Sequence, residues 1–267
     1  MHPMTLDAID FNLLYRLQKH SSTYKKKSQE EWDGKAWEIN EKIHEGFYND
    51  EMERRIDLDG VQSLLDVGCG PGTFALRFAP RLKQVYALDY SPKMLEVLEH
   101  NAQKRAISNI CPLCLDLEES WEGVAPCDVV IASRCLEVED MRAVLQKLHE
   151  KAKKAVYITY KNGGSFLEAE VLEAMGRKIT PKPDYIYLLN ILYQMGIRAS
   201  LDFISPQGEP YGTFDSFESY HRSTLWSIGE MTPQEEAGLK DYYEACQKKG
   251  KTPAHKNSSW AFISWRK

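Results

Sequence analysis

Between residues 61 and 160 short apolar runs alternate with segments of helical period, and this alternation restricts the fold open to the chain more than any other feature. The apolar runs are "SLLDV" (63–67), "VYALD" (85–89), "NICPLCLDL" (109–117), "CDVVIAS" (127–133) and "AVYITY" (155–160). The fourth is apolar on both faces, as an interior parallel strand must be. Ala75, Phe78, Ala79 and Leu82 follow the first run at i, i+3, i+4 and i+7. Met94, Leu95, Leu98 and Ala102 form a second stripe, and Met141, Val144, Leu145, Leu148 and Ala152 a third. Ser91 before Pro92 predicts an N-cap with proline in the first turn. Parallel strands need a long crossover, usually a helix, so five strand–helix units in a row predict an α/β, Rossmann-like doubly wound sheet.

Outside this block residues 5–56 read as largely helical, as do 164–177 and 185–196, while "RASLDFIS" (198–205) reads as a strand. "SPQGEPYG" (205–212) is turn-rich, and 215–246 reads as helical with a break at "EMTPQEE", where Thr232 precedes Pro233 as an N-cap would. "SSWAFISW" (258–265) alternates like a last strand, and "QKKGKTPAHK" (247–256), with four lysines and no acid, reads as a solvated loop or a contact to phosphate or carboxylate. With 267 residues, 43% hydrophobic and 27% charged, the chain suits one globular domain with insertions. A net charge of −5 argues against a protein that grips nucleic acid through its overall field. The start "MHPMTLDAID" has no secretory pattern and no run approaches the ~18 apolar residues of a membrane span, so the expectation is a cytoplasmic protein without a membrane partner. The six cysteines fall mostly in strand-like runs, where a reduced thiol packs as a small hydrophobe; Cys111 and Cys114 have CxxC spacing but lack a second ligand pair, so no metal is expected.

The stretch "LLDVGCGPGT" (64–73) carries the first chemistry. A glycine-rich turn after a parallel strand lies at the carboxyl edge of the sheet, where such folds bind ligands, and glycine lets backbone amides come close to one. A dinucleotide site would read G-x-G-x-x-G, with pyrophosphate on the helix N-terminus. Here Thr73 stands where the third glycine belongs, and Asp66 precedes Gly68, Gly70 and Gly72, a poor neighbour for pyrophosphate. A carboxylate there suits a cation, and S-adenosylmethionine, with a sulfonium and an ammonium, meets that requirement.

"LLDVGCGPGT" with "VYALDYSPKML" (85–95) resembles the first two motifs of the class I S-adenosylmethionine-dependent methyltransferases (type 11-like), and the similarity runs through 61–160. The resemblance implies a mostly parallel seven-stranded sheet with an antiparallel last strand. Residues 1–56 would form a helical cap and 57–267 the methyltransferase domain, with helical insertions around 161–195 and 206–256. It implies that Gly68, Cys69, Gly70 and Gly72 lie against the methionine portion of the cofactor, with Asp66 near its amino group. Asp89 would accept the ribose hydroxyls, Tyr90 and Met94 would flank the adenine, and Asp116 would face its amino group, with Leu117 supplying backbone contact. Ser133 and Arg134 would border the reacting methyl. Where many relatives read L-E-H this chain has Leu136, Glu137 and Val138, so no histidine base stands there.

Methyl transfer from a sulfonium is an in-line displacement with a neutral leaving group, so alignment and exclusion of water matter most, and a base is needed only when the acceptor must lose a proton. Glu137 and Tyr160 are the catalytic candidates by position, and Tyr24, Trp32 and Trp37 the candidates for a lid. No Asn/Asp-Pro-Pro-Tyr-type motif follows strand four, and the added segments are rich in aromatics, so the expected acceptor is a small molecule methylated at oxygen, carbon or sulfur rather than nucleic acid. An NAD(P)-dependent oxidoreductase and a non-catalytic S-adenosylmethionine-binding protein are the alternatives, and a monomer or homodimer is expected.

Overall fold

The computed structural model describes residues 5–24, 26–165, 167–205, 214, 216–251, 253 and 259–267. The turn-rich 206–212 and most of the lysine-rich 252–256 lie outside the described residues. Seven strands form one sheet: β1 (Ser63–Val67), β2 (Gln84–Asp89), β3 (Ile110–Cys114), β4 (Cys127–Ser133), β5 (Ala152–Lys161), β6 (Ser200–Ile204) and β7 (Trp260–Arg266), in the order β3-β2-β1-β4-β5-β7-β6. β7 runs antiparallel to both of its neighbours, and the other pairings are parallel. The chain steps outward from β1 to β3 and then returns to place β4 on the other side of β1, so the strand order reverses between β1 and β4. Ligands of open α/β sheets bind outside the carboxyl ends of strands at such a reversal.

Period-two alternation sends neighbouring residues into two different layers. Leu65, Val67, Val130, Ala132, Val156 and Ile158 pack with α6 (Met141–Lys151) and α8 (Tyr185–Gln194), and Tyr15 of α1 (Phe11–Ser21) joins this layer. Leu64, Val85, Ala87, Val129 and Ile131 face α4 (Thr73–Phe78) and α5 (Pro92–Lys104), and Met52 of α3 (Phe47–Arg55) closes that layer. α2 (Gln29–Ile43) packs along α5. A third cluster gathers α7 (Ala169–Met175), α9 (Phe217–Ile228) and α10 (Pro233–Lys248) around Tyr24, Val171, Tyr220 and Leu239. No helix among the described residues is long and apolar enough to cross a membrane.

The caps follow the sequence closely. The Ser91 hydroxyl accepts from the Met94 amide at 3.1 Å, and Thr232 and Glu235 form a reciprocal capping box at the start of α10. Two boundaries differ from the periodicity. Ala152 opens β5 instead of closing the α6 stripe, because its chain already pairs with Cys127 of β4. β3 stops at Cys114, after which the Asp116 carboxylate accepts from the Glu118 amide at 2.8 Å and turns the chain. Pro112 is tolerated in β3 because this strand is the sheet edge and has only β2 beside it.

Candidate active site

The three glycines after β1 have positive φ, +63° at Gly68, +53° at Gly70 and +89° at Gly72. Their missing side chains serve different ends. A Cβ on Gly68 would stand 2.3 Å from Cβ of Cys135, and one on Gly72 2.8 Å from Cγ of Leu98 in α5, so both admit packing neighbours. A Cβ on Gly70 would have nothing within 4 Å. Gly70 therefore gives an open approach to the backbone, while its amide donates to Asp89 at 2.8 Å. Cys69 is buried, and burial pushes its thiol well above the ordinary range.

Asp66 is 1% exposed. Among the described residues its hydrogen-bond donor is the Ala75 amide in the first turn of α4, at 2.9 Å. Burial, reinforced by the nearby Asp89 carboxylate and opposed by that one amide, pushes its carboxyl up to about 7. Asp89, at the end of β2, accepts the Gly70 amide on one oxygen and the Ser91 amide at 2.9 Å on the other, and burial raises it too. The Tyr90 amide is directed at it as well, and the carboxylate keeps acceptor capacity for a further hydroxyl. Two buried acids and an open glycine make a cradle for a group that is cationic at one end and rich in hydroxyls at the other.

The neighbouring candidates divide. Tyr90 is half-buried, its phenol pushed up to about 12 by burial and by Asp89. Met94 is buried with Ala36 and Val97 beneath Trp32 and Ile39 of α2. The Leu117 carbonyl accepts from Lys147 at 2.9 Å. Ser133 and Arg134 engage Tyr48: its hydroxyl lies 2.7 Å from Oγ of Ser133 and 2.6 Å from Oγ1 of Thr159, and the Arg134 guanidinium lies 4.1 Å from its ring centroid. Trp32 packs edge-on to Trp226 of α9 at 5.5 Å. Trp37 is 44% exposed and packs edge-on against His100, about two turns into α5. α2 runs alongside α5: near its start Asp33 accepts from the Ser91 hydroxyl at 2.5 Å, and further along Asn40 accepts at 2.7 Å from the Asn101 side-chain amide, which also donates to the Pro71 carbonyl of the glycine loop at 3.2 Å.

A cavity of about 130 Å³ opens at the ends of β4 and β5, lined among others by Tyr15, Lys19, Tyr24, Glu137, Tyr160 and Lys182. A short stretch of chain links its wall to the glycine loop. The Cys135 thiol donates to the Val67 carbonyl at 3.1 Å and stands against Gly68, and two residues later Glu137 reaches the cavity, where it pairs with Lys182. Both catalytic candidates, Glu137 and Tyr160, thus meet in one place, and Tyr24 of the lid candidates joins them, its hydroxyl 2.7 Å from Oγ of Ser165.

A family model described as a methyltransferase domain matches residues 64–155, which hold the glycine loop, both buried acids and Glu137. The chain is 36% identical over 266 residues to an uncharacterized protein of Haemophilus influenzae, covering 98% of each chain. The chain belongs to the class I S-adenosylmethionine-dependent methyltransferases. This methyltransferase also matches an uncharacterized RNA methyltransferase of Listeria innocua, 32% identical over 114 residues, but over only 41% of its own length and a quarter (25%) of that relative's. Its fold is shared by a magnesium protoporphyrin IX methyltransferase from Synechocystis, solved with bound S-adenosylhomocysteine, at TM-score 0.56 and 14% identity, covering 90% and 98% of the two chains. S-Adenosylmethionine is the methyl donor that membership in this family implies, and the cradle fits it: the raised Asp66 carboxyl is what a buried acid shows before a cation joins it.

Tyr15, Lys19, Lys182 and Asp33 were not visible as site residues of this methyltransferase from periodicity or motif. Tyr15 comes from α1 to donate to the Val138 carbonyl at 2.8 Å, across 123 positions of sequence. The signal available for Asp33 was its place in α2 one turn after the Ser28 cap, but nothing local says that α2 meets α5.

Proposed function

We propose that this methyltransferase transfers the methyl group of S-adenosylmethionine to a small molecule, at oxygen, carbon or sulfur, held in the cavity at the ends of β4 and β5. In this reading Gly68, Cys69, Gly70 and Gly72 hold the methionine portion, with Asp66 answering its ammonium. Asp89 holds the ribose, Tyr90, Met94, Asp116 and Leu117 border the adenine, and Ser133 and Arg134 position the chain beside the reacting methyl. S-Adenosylmethionine supplies an activated methyl carbon: the acceptor's lone pair bonds to it while the C–S electrons stay on sulfur, giving neutral S-adenosylhomocysteine. The protein's part is alignment, exclusion of water and, for an O–H or S–H acceptor, removal of one proton. Burial and the nearby Asp184 hold the Tyr160 phenol well above its ordinary range, so at neutral pH it is a hydrogen-bond donor. Glu137 is then the carboxylate in the cavity that takes the proton.

The observation that carries the reading is the cavity itself, walled by Tyr15, Tyr24 and Tyr160, with its Glu137 two residues past the Cys135 that stands against Gly68. Such a space suits a small, partly apolar acceptor. The N-terminal helices act as its cap in this reading, since α1 brings Tyr15 and Lys19 to it. The printed name of the Listeria relative favours a second reading, an RNA acceptor, which the net charge of −5 opposes. Formation of S-adenosylhomocysteine with phenols, thiols and activated carbon acids, with total RNA as a parallel arm, separates the two. Turnover on a small acceptor and none on RNA is expected; turnover on RNA alone overturns the small-molecule reading.

A further inference from the structure

We propose that the acceptor is a small anion, a carboxylate or a phosphate ester, whose negative group binds Lys182 in place of Glu137. The proposal rests on the small-molecule reading above. Lys182 is held for such a task. Its backbone amide donates to the Gly164 carbonyl at 3.1 Å, and its carbonyl accepts from Gln18 of α1 at 3.2 Å. A Cβ on Gly164, at φ +61°, would come 2.6 Å from that same carbonyl, so the glycine of "NGGS" is what lets this backbone seat itself. The placement of the side chain is therefore set by two segments far apart in sequence.

The charge around it is lopsided. Lys19 and Lys26 also line the cavity, whereas Glu137 is the one carboxylate among its described lining residues. The acids that answer the other lysines stand outside that lining: Glu139 pairs with Lys19 at 2.7 Å, Glu118 with Lys26 at 3.9 Å and Glu31 with Lys27 at 3.6 Å. Burial, then Lys27 and Lys19, push the Lys182 ammonium down to about 8, so the wall is short of negative charge at the point where an anion would sit. Lys182 is the more buried partner of its pair, 20% exposed against 42% for Glu137. The acid is therefore the partner that can give way to an anion while the lysine stays. The Tyr15 and Tyr160 phenols, kept protonated by burial, add no negative charge, and while Tyr15 spends its proton on the Val138 carbonyl, Tyr160 can offer one. Displaced from Lys182, Glu137 is left beside the acceptor as an unneutralised carboxylate, able to take the proton of an O–H or S–H group as that atom is methylated.

The test is calorimetric titration of the full chain saturated with S-adenosylhomocysteine, using benzoate and phenyl phosphate as anionic probes, benzamide as a neutral one and benzylamine as a cationic one. At least one anion is expected to bind about tenfold more tightly than benzamide, as one charge-assisted hydrogen bond supplies, and the better of the two assigns carboxylate or phosphate. Lys182→Gln weakens that anion by about tenfold, and Glu137→Gln tightens it several-fold by removing the internal competitor. A merely structural pair would not give that opposite response. Binding of benzamide or benzylamine as tight as that of the anions, no probe binding in the millimolar range, or an anion affinity that Glu137→Gln leaves unchanged or weakens each overturns the proposal alone. The comparison of probes on the unsubstituted chain stands even if Lys182→Gln fails to fold. Failure of S-adenosylhomocysteine itself to bind overturns the methyltransferase reading and this proposal with it.

Discussion

Replacing Asp66 with Asn should make the cofactor-free protein more stable and the cofactor site useless. On folding, the Asp66 carboxyl moves from its ordinary value of 3.8 to about 7, with burial as the main cause. The folded state therefore holds a proton that the unfolded state has released between those two values, and stability falls as pH rises through that window. Fully ionised above pH 7, this one group costs the fold up to about 4 kcal/mol. The carboxamide of the Asp66→Asn variant would carry no charge and could still accept from the Ala75 amide, at the expense of roughly 1–3 kcal/mol for an unpaired buried NH₂. The net gain at pH 8 is then about 1–3 kcal/mol, or roughly 2–5 °C in Tm for a chain of this size. At pH 4 the unsubstituted carboxyl is protonated in the folded state, so the gain is lost and the unpaired NH₂ leaves the variant the less stable of the two. Thermal melts of both proteins at pH 4 and pH 8, each with and without saturating S-adenosylhomocysteine, check this. The ligand should raise the Tm of the unsubstituted protein and leave the variant nearly unmoved. A variant less stable than its parent at pH 8, or a difference that does not change with pH, refutes the assignment of Asp66 as a buried acid awaiting a cation.

Three further outcomes follow from the same geometry. Gly68→Ala, whose Cβ would meet Cys135 at 2.3 Å, should lose more than about 2 kcal/mol in urea unfolding, whereas Gly70→Ala, facing open space, should lose about 1 kcal/mol of stability but most of its S-adenosylhomocysteine affinity. Tyr48→Phe leaves the Ser133 and Thr159 hydroxyls without their shared partner and should cost roughly 1–3 kcal/mol, read by the same unfolding experiment. Thr232→Ala removes the capping box of α10 and should cost about 1 kcal/mol without changing cofactor affinity in calorimetry.

Much of the fold could be read from the chain because its signals are local. "SLLDV" is β1 residue for residue, Ser91 and Thr232 cap the helices their neighbours suggest, and the alternation of Leu64 and Leu65 assigns them to opposite layers. Asp66 could be singled out because it precedes the glycine turn at the sheet edge, and Asp89 because "VYALDYSPKML" resembles the second methyltransferase motif. The errors lie where distant parts of the chain decide. Ala152 fits a helical stripe, yet pairing with Cys127 takes it into β5. Lys182 and Lys19 are ordinary surface residues by pattern and become cavity residues only because Gln18 reaches the Lys182 carbonyl across 164 positions of sequence.

The account stands on a cationic cofactor bound between Asp66, Asp89 and the open face of Gly70. Calorimetric titration with S-adenosylhomocysteine at several pH values tests it most directly. Binding in the micromolar range is expected, weakened by about tenfold or more in Asp89→Asn, and with a proton released on binding near pH 7 as the ammonium draws the Asp66 carboxyl into its charged form. Binding of NADH with none of S-adenosylhomocysteine, or S-adenosylhomocysteine binding that neither releases a proton near pH 7 nor responds to Asp89→Asn, would contradict it.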